Sequence, residues 1–312
     1  MSPVVAVIDI GSNSIKVLVA TRDDAGPVQA LLSRTIDARI SAGISQAKPE
    51  LSEAGLAAGL AAIQELLAAA APFAPAKVVL VATSAVREAG NGAEFRTRVK
   101  AATGHEVRLL TGGEEANLIG RGLTCDPALA ALQDFYVFDL GGGSLECLLF
   151  HERRITQAVS LPLGCVRLTE KFIKDATAPL VQTESTTLAL HVRDELMRSG
   201  FRYPVVAPAA VFAGGSMSTV RAIKGARHGL SLEETPAIIG TDTLHHMLDE
   251  VAPLTLAQRQ AIPGLPAARA DVFPAALITI MAVADFAHID RFHHSLHNLR
   301  WGLAAETLAL SF

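Results

Sequence analysis

Asp9 and Asp139 each end an apolar run, and each leads into a short loop of glycine and hydroxyl residues. The first loop runs Ile10-Gly11-Ser12-Asn13-Ser14 and the second Leu140-Gly141-Gly142-Gly143-Ser144. Glycines let successive backbone N–H groups turn together toward an anion, and hydroxyls add further donors. A carboxylate beside such a nest repels phosphate, so the pairing implies a metal cation between them. Two such loops facing each other would clamp a chain of phosphates. A third glycine pair, Gly214-Gly215-Ser216, precedes a helical pattern, although a Gly-Gly pair alone is the ordinary mark of a turn.

The elements that carry these loops follow from periodicity. Val4–Ile8 and Phe135–Phe138 are continuous β-branched and aromatic runs, which read as strands covered on both faces. Ile15 to Thr21 is a second apolar run directly after the first loop. Strand, turn, strand makes a hairpin, whereas a dinucleotide-binding unit would pass from its glycines into a helix. A further strand is expected within Val28–Ile40, then a helix capped by Ser52 and ended by Pro72. A strand at Lys77–Thr83, a helix at Ala93–Thr103, a strand at Glu106–Leu110 and a helix opening near Gly112 complete the first half. The plan then restarts, with strands to Asp139, at Leu145–Phe150 and at Arg154–Pro162. Helices follow at Cys165–Lys174 and Thr183–Ser199, a strand at Val205–Ala213, and mostly helix thereafter, including Pro274–Phe286 and Leu299–Leu310. Two halves that each begin with three strands and an Asp-Gly-Ser hairpin read as a duplication.

Composition sets the bounds. At 312 residues, half of them hydrophobic, the chain exceeds the roughly 250–300 residues at which single cores stop growing, so two domains are expected. A net charge of −4 argues against a nucleic-acid partner but leaves room for a polyanion bound by local arginines and a metal. Cys125, Cys147 and Cys165 form no CxxC pair and read as reduced core thiols of a cytoplasmic protein. The apolar stretch from Leu60 to Ala82 contains Gln64, Glu65, Pro72, Pro75 and Lys77, so no membrane span is expected.

Six segments occur in order: Asp9 to Ser14; Thr83-Ser84-Ala85-Val86-Arg87-Glu88-Ala89-Gly90-Asn91; Gly113-Glu114-Glu115-Ala116; Asp139 to Glu146; Ser160 to Leu168; and Arg269-Ala270-Asp271-Val272. Together they resemble the ASKHA superfamily (acetate and sugar kinases, heat-shock ATPases, actin) and, within it, the exopolyphosphatase and guanosine-pentaphosphate phosphatase family. The resemblance implies an α/β fold of two ASKHA domains, actin-like and ribonuclease H-like, with an interdomain cleft. The first would span 1–125 with 299–312, and the second 126–298.

The resemblance also implies roles. Glu115 would orient and deprotonate the attacking water. Glu114 and Glu115 are both first-turn acids that a helix dipole favours, but adjacent helical residues point about 100° apart, so only one faces the cleft. Asp9, Asp139 and Glu146 would hold Mg²⁺ or another divalent cation. Gly11, Ser12, Asn13, Ser14, Gly141, Gly142, Gly143, Ser144, Gly214, Gly215 and Ser216 would donate to phosphate oxygens. Arg87 would bind a phosphate further along the chain, or else form a surface salt bridge. Leu145 stands where the family has threonine, removing a hydroxyl beside the expected metal. The expected substrate is inorganic polyphosphate or guanosine pentaphosphate, and the family implies a homodimer. Two other readings share the loops: a small-molecule kinase of the same superfamily, and a non-catalytic sensor of polyphosphate or an alarmone. Outside the motifs, His288, His293, His294 and His297 cluster with Asp285 and Asp290; His293 and His297 at i and i+4 would share a helix face. Solvated or packed histidines are the expectation there.

Overall fold

The structure, a computed structural model, describes residues 2–23, 26–203 and 209–309. In chain order it forms β1 (Val4–Ile10), β2 (Ile15–Thr21), β3 (Gln29–Ile36), α1 (Glu53–Ala70), β4 (Lys77–Ala82), α2 (Ser84–Glu88), α3 (Gly92–Thr103), β5 (Val107–Leu109) and α4 (Gly112–Thr124). Then come β6 (Phe135–Leu140), β7 (Leu145–His151), β8 (Arg154–Leu161), α5 (Cys165–Phe172), α6 (Gln182–Arg198), β9 (Ala209–Ala213) and α7 (Gly215–Ala226). The chain finishes with β10 (Ile238–Gly240), α8 (Thr241–Val251), α9 (Leu256–Gln260), α10 (Phe273–Ala287), β11 (Arg291–His294) and α11 (Leu299–Ala309). The expected strand at Val205–Ala213 is present from Ala209; its residues 205–208 lie outside the described ones, as does Leu310 of the last helix.

The chain divides into two compact units, Met1–Ala131 with His297–Phe312, and Leu132–Leu296. The first unit is built on a sheet of order β3-β2-β1-β4-β5, with β1, β4 and β5 parallel and the β1–β2–β3 hairpins antiparallel. The second repeats it as β8-β7-β6-β9-β11, with β10 added antiparallel on the far edge. This duplicated order is the two-domain α/β plan that the resemblance implies. In each unit the central strand is fully enclosed, Val5–Ile8 in one and Phe135–Phe138 in the other, which is why both read as unbroken apolar runs.

One segment differs from expectation. The region after α7 carries β10 and β11, and β11 lies parallel to β9. His293 therefore sits on a strand, not on a helix with His297, and His297 belongs to the other unit. Arg-Phe-His-His carries no strong strand signal of its own, and pairing with β9 decides it. Glu53–Phe73 has the length and apolar composition of a bilayer span, as core helices of folded domains also do. Its Leu56, Ile63 and Leu66 are buried, and α1 packs on β1 and β2.

α11 closes the first unit. It packs on α4 where glycines let the backbones meet: a Cβ on Gly122 would overlap the Asn298 carbonyl, and one on Gly302 that of Leu118. Arg300 at its start is buried and donates to the Val17 carbonyl (2.9 Å) and Ser33 Oγ (3.2 Å) of the hairpin.

Candidate active site

The first glycine loop is shaped by where its carbonyls go. Gly11 N donates to the Ser14 carbonyl at 3.2 Å, closing the turn. The Ser12 and Asn13 carbonyls accept from Ser41 N (3.3 Å) and Arg39 N (2.9 Å) in the segment after β3. In a trans peptide each N–H points opposite the preceding carbonyl, so the N–H groups of Asn13 and Ser14 project from the other side of the loop. Arg39, held at a left-handed φ of 39°, also donates Nε to Asn13 Oδ1 at 3.2 Å. Ser12 Oγ meets Ser84 Oγ at 3.0 Å, which ties the loop to the first residue of α2.

The second loop repeats the device with a different anchor. Gly141 N donates to the Ser144 carbonyl at 3.0 Å. The Gly141 carbonyl accepts from Cys165 N (3.0 Å), that of Gly142 from Val166 N (3.0 Å) and Arg167 N (3.2 Å), and that of Gly143 from Arg167 Nε (3.0 Å). With three carbonyls drawn to the start of α5, the N–H groups of Gly142, Gly143 and Ser144 project together on the opposite side, which is an anion nest. Gly164 permits the approach, because a Cβ there would overlap the backbone of Gly142 and Gly143.

Beneath each loop runs a cross-strand row. Asp9 lies opposite Lys16, which lies opposite Thr35. Asp139 lies opposite Glu146, which lies opposite Ser160, whose hydroxyl donates to Glu146 Oε1 at 2.7 Å. Directly opposed residues share a sheet face, so Glu146 faces the same way as Asp139, a point that spacing alone left open. Leu145 pairs with Leu140 and Leu161 one position along, hence on the opposite face, and is fully buried. Its side chain therefore joins an apolar row and not the acidic one, so the expected loss of a hydroxyl beside the metal does not apply at this position.

Asp9 is buried, and its Oδ1 has no hydrogen-bond partner. Burial pushes its pKa above the usual aspartate value, offset in part by the Lys16 and Arg300 charges. Within each unit, the unpartnered Asp9 oxygen of the first and the adjacent Asp139 and Glu146 carboxylates of the second are oxygen donors of the kind hard cations take. Mg²⁺ in particular is commonly held by one or two carboxylates with waters completing its shell. Among the described residues no group of three or more His, Cys, Asp or Glu gathers as an all-protein metal site.

The Glu114–Glu115 pair separates cleanly. Thr111 caps α4, and Glu114 closes a capping box by accepting from Thr111 N and Oγ1, both at 2.9 Å. With Arg108 also donating to it, Glu114 has a pKa held down to about 2. Glu115 turns inward and is buried; its Oε2 accepts from Arg87 Nη1 at 3.0 Å. The same Arg87 nitrogen donates to the Leu110 carbonyl at 2.9 Å. Of the two roles expected for Arg87, the structure displays an ion pair, and that pair is with Glu115 inside the unit.

The third glycine loop meets the second-unit row. Gly214 caps α7 with φ +89°, and a Cβ on it would overlap Asp139 Oδ1. A Cβ on Gly215 would overlap the Arg269 guanidinium, so Arg269 lies over the first residue of α7 near the buried Ser216. Arg269 belonged to a matched segment but carried no assigned role; its position beside Gly215 rests on a contact far apart in sequence. A separate groove of about 310 Å³ in the second unit, lined by Ser185, Leu190, Met281 and Phe286 among others, contains none of these residues.

Known structures share this architecture. An exopolyphosphatase from Cytophaga hutchinsonii superposes with a TM-score of 0.88 at 21% identity, covering 98% of each chain. A Ppx/GppA family member from Aquifex aeolicus gives 0.80 at 24% identity over 100% of both. An exopolyphosphatase-like protein gives 0.89 at 23% identity over 98% of both. At such identities the likeness is one of fold. Residues 18–310 match the Ppx/GppA phosphatase family, and the chain belongs to it.

Proposed function

We propose that this phosphatase releases terminal orthophosphate from inorganic polyphosphate, or the 5′-terminal phosphate of guanosine pentaphosphate, by in-line attack of water. The observation that carries this is the repeated loop, with carbonyls tied back on one side and N–H groups projecting on the other, above buried carboxylates. Attack on a phosphorus surrounded by negative oxygens depends mainly on positioning and charge neutralisation. The N–H groups of Asn13, Ser14, Gly142, Gly143 and Ser144 would donate to phosphate oxygens, with Gly11, Ser12, Gly141, Gly214, Gly215 and Ser216 completing the three loops. Glu115 would take the proton from the attacking water as the bridging P–O bond breaks toward the remaining chain, its carboxylate oriented by Arg87. Asp9, Asp139 and Glu146 would hold Mg²⁺ or another divalent cation. When bound, that ion would neutralise charge on the phosphate oxygens. The exopolyphosphatase identity of the Cytophaga hutchinsonii neighbour supports the substrate class. Three cysteines outside any disulfide agree with a cytoplasmic setting.

Orthophosphate release by the purified protein with Mg²⁺ tests this on long-chain polyphosphate, guanosine pentaphosphate and ATP. Release from one of the first two, with little from ATP, is expected. Release from none, with polyphosphate still bound, would replace hydrolysis with sensing.

A further inference from the structure

We infer that His294, neutral and protonated on Nε2, is a positioning residue that fixes the third glycine loop through Ser218. His294 is buried on β11, beside β9, whose end delivers that loop. Its Nε2 lies 3.1 Å from Ser218 Oγ, and Ser218 Oγ lies 2.9 Å from the Gly214 carbonyl. A carbonyl only accepts, so the single hydroxyl proton goes to Gly214 O, and Ser218 Oγ must accept from the imidazole. That places a proton on Nε2.

The other ring nitrogen leads to the same tautomer independently. His294 Nδ1 is 3.4 Å from Arg221 Nη1, and a guanidinium only donates, so Nδ1 is the acceptor. Arg221 is itself buried and held by the Thr235 carbonyl, from Nε at 2.8 Å and Nη2 at 2.5 Å, and by the Glu233 carbonyl at 3.3 Å. A fixed cation on one side of the ring opposes a second positive charge on it.

The chain of donors therefore runs Arg221 to His294 to Ser218 to Gly214, all in one direction. It ends at the residue whose backbone is packed against Asp139 and whose carbonyl also accepts from Ser218 N at 3.2 Å. Ser218 and Arg221 lie one turn apart on α7, so a single ring on β11 holds the helix at two points. Loss of the ring leaves the Ser218 hydroxyl held by the Gly214 carbonyl without its link to β11 and loosens the N-terminus of α7, where the first N–H groups of the helix lack intrahelical partners. The inference rests on the proposed phosphohydrolase activity for its kinetic test, and not for its spectroscopic one.

Ring ¹⁵N chemical shifts of His294 at pH 7 read the tautomer without substrate. The Nε2–H form is expected, and an Nδ1–H or doubly protonated ring would overturn the inference. Steady-state phosphate release from polyphosphate is then compared for the parental protein, His294→Ala, Ser218→Ala and His294→Gln. The two alanine variants should lose about 10- to 100-fold in kcat with KM changed little, as for lost orienting contacts around other catalytic groups. Glutamine, which offers both a donor and an acceptor at the right length, should recover most of the loss at an unfolding midpoint close to that of His294→Ala. An alanine variant at the parental kcat, or a glutamine variant no better than alanine, would overturn it. A parental protein without hydrolytic activity would count against the proposed function alone, leaving the ring measurement to decide here.

Discussion

In the first sheet Asp9 faces Lys16 across the hairpin, while at the equivalent place in the second sheet Asp139 faces Glu146. Strand order and the turn of each loop are shared, so the two rows beneath them differ in charge. Opposite charges across a strand pair are mildly stabilising and like charges directly opposed are not. The first row is balanced by the chain itself, with Arg300 adding a second cation near Asp9. The second row holds two buried carboxylates face to face, with Ser160 donating to one of them. Duplication has thus kept the anion nest in both units while making the second the more demanding of a cation. The anchors differ too: the first loop is tied by the irregular segment after β3, the second by the first turn of α5.

The largest effect is expected at Glu115 of the first unit. Glu115→Gln should lower phosphate release by about 10²- to 10⁴-fold, measured as kcat on polyphosphate, because the amide cannot accept the proton. A parental rate would remove Glu115 from the reaction. Next, Gly164→Ala should cost about 1–3 kcal/mol in urea unfolding, since its Cβ must displace the second loop. The first loop, anchored without such a glycine, offers no equivalent lesion.

Asp9→Asn should stabilise the metal-free protein at pH 7 by about 1–2 kcal/mol, because a buried carboxylate with an unpartnered oxygen becomes neutral. The sign follows from a folded-state pKa raised above 3.8. Stability contributed by protonated Asp9 is complete below the unfolded value and is lost as pH rises through the folded one. The gap between variant and parent should therefore widen from pH 4 to pH 7, and a constant gap would show that Asp9 does not titrate as its burial requires. The smallest effect is Leu145→Thr. It places a hydroxyl in the Leu140–Leu161 row, so a loss of about 1 kcal/mol with unchanged turnover is expected. A gain in turnover would mean that position 145 does reach the acidic face.

The central strands were readable because burial on both faces leaves an unbroken apolar run, as at Val4–Ile8 and Phe135–Phe138. The loops were readable because glycine and hydroxyl residues mark them. The face taken by Glu146 was not, since a glycine turn interrupts the two-residue period on which such inferences rest. Nor was the tie between Arg87 and Glu115, which joins two helices that sequence spacing does not relate. β11 escaped because Arg291-Phe292-His293-His294 becomes a strand only through its neighbour. Arg300 and Arg269 carry no local signal of a role; one acts on Asp9 and the other lies on Gly215 only after folding brings distant segments together.

The return of α11 to the first sheet has a consequence for biosynthesis. The second unit is one uninterrupted stretch of chain and has all its strands once about Leu296 has emerged. The first unit must wait for the last helix, whose Arg300 meets Val17 across a sequence separation of 283 residues. Domains fold as units during synthesis, usually the amino-terminal one first. Here the order is reversed: the unit begun first is completed last, and until then the flank of β1 and α4 that α11 covers is bare on the ribosome.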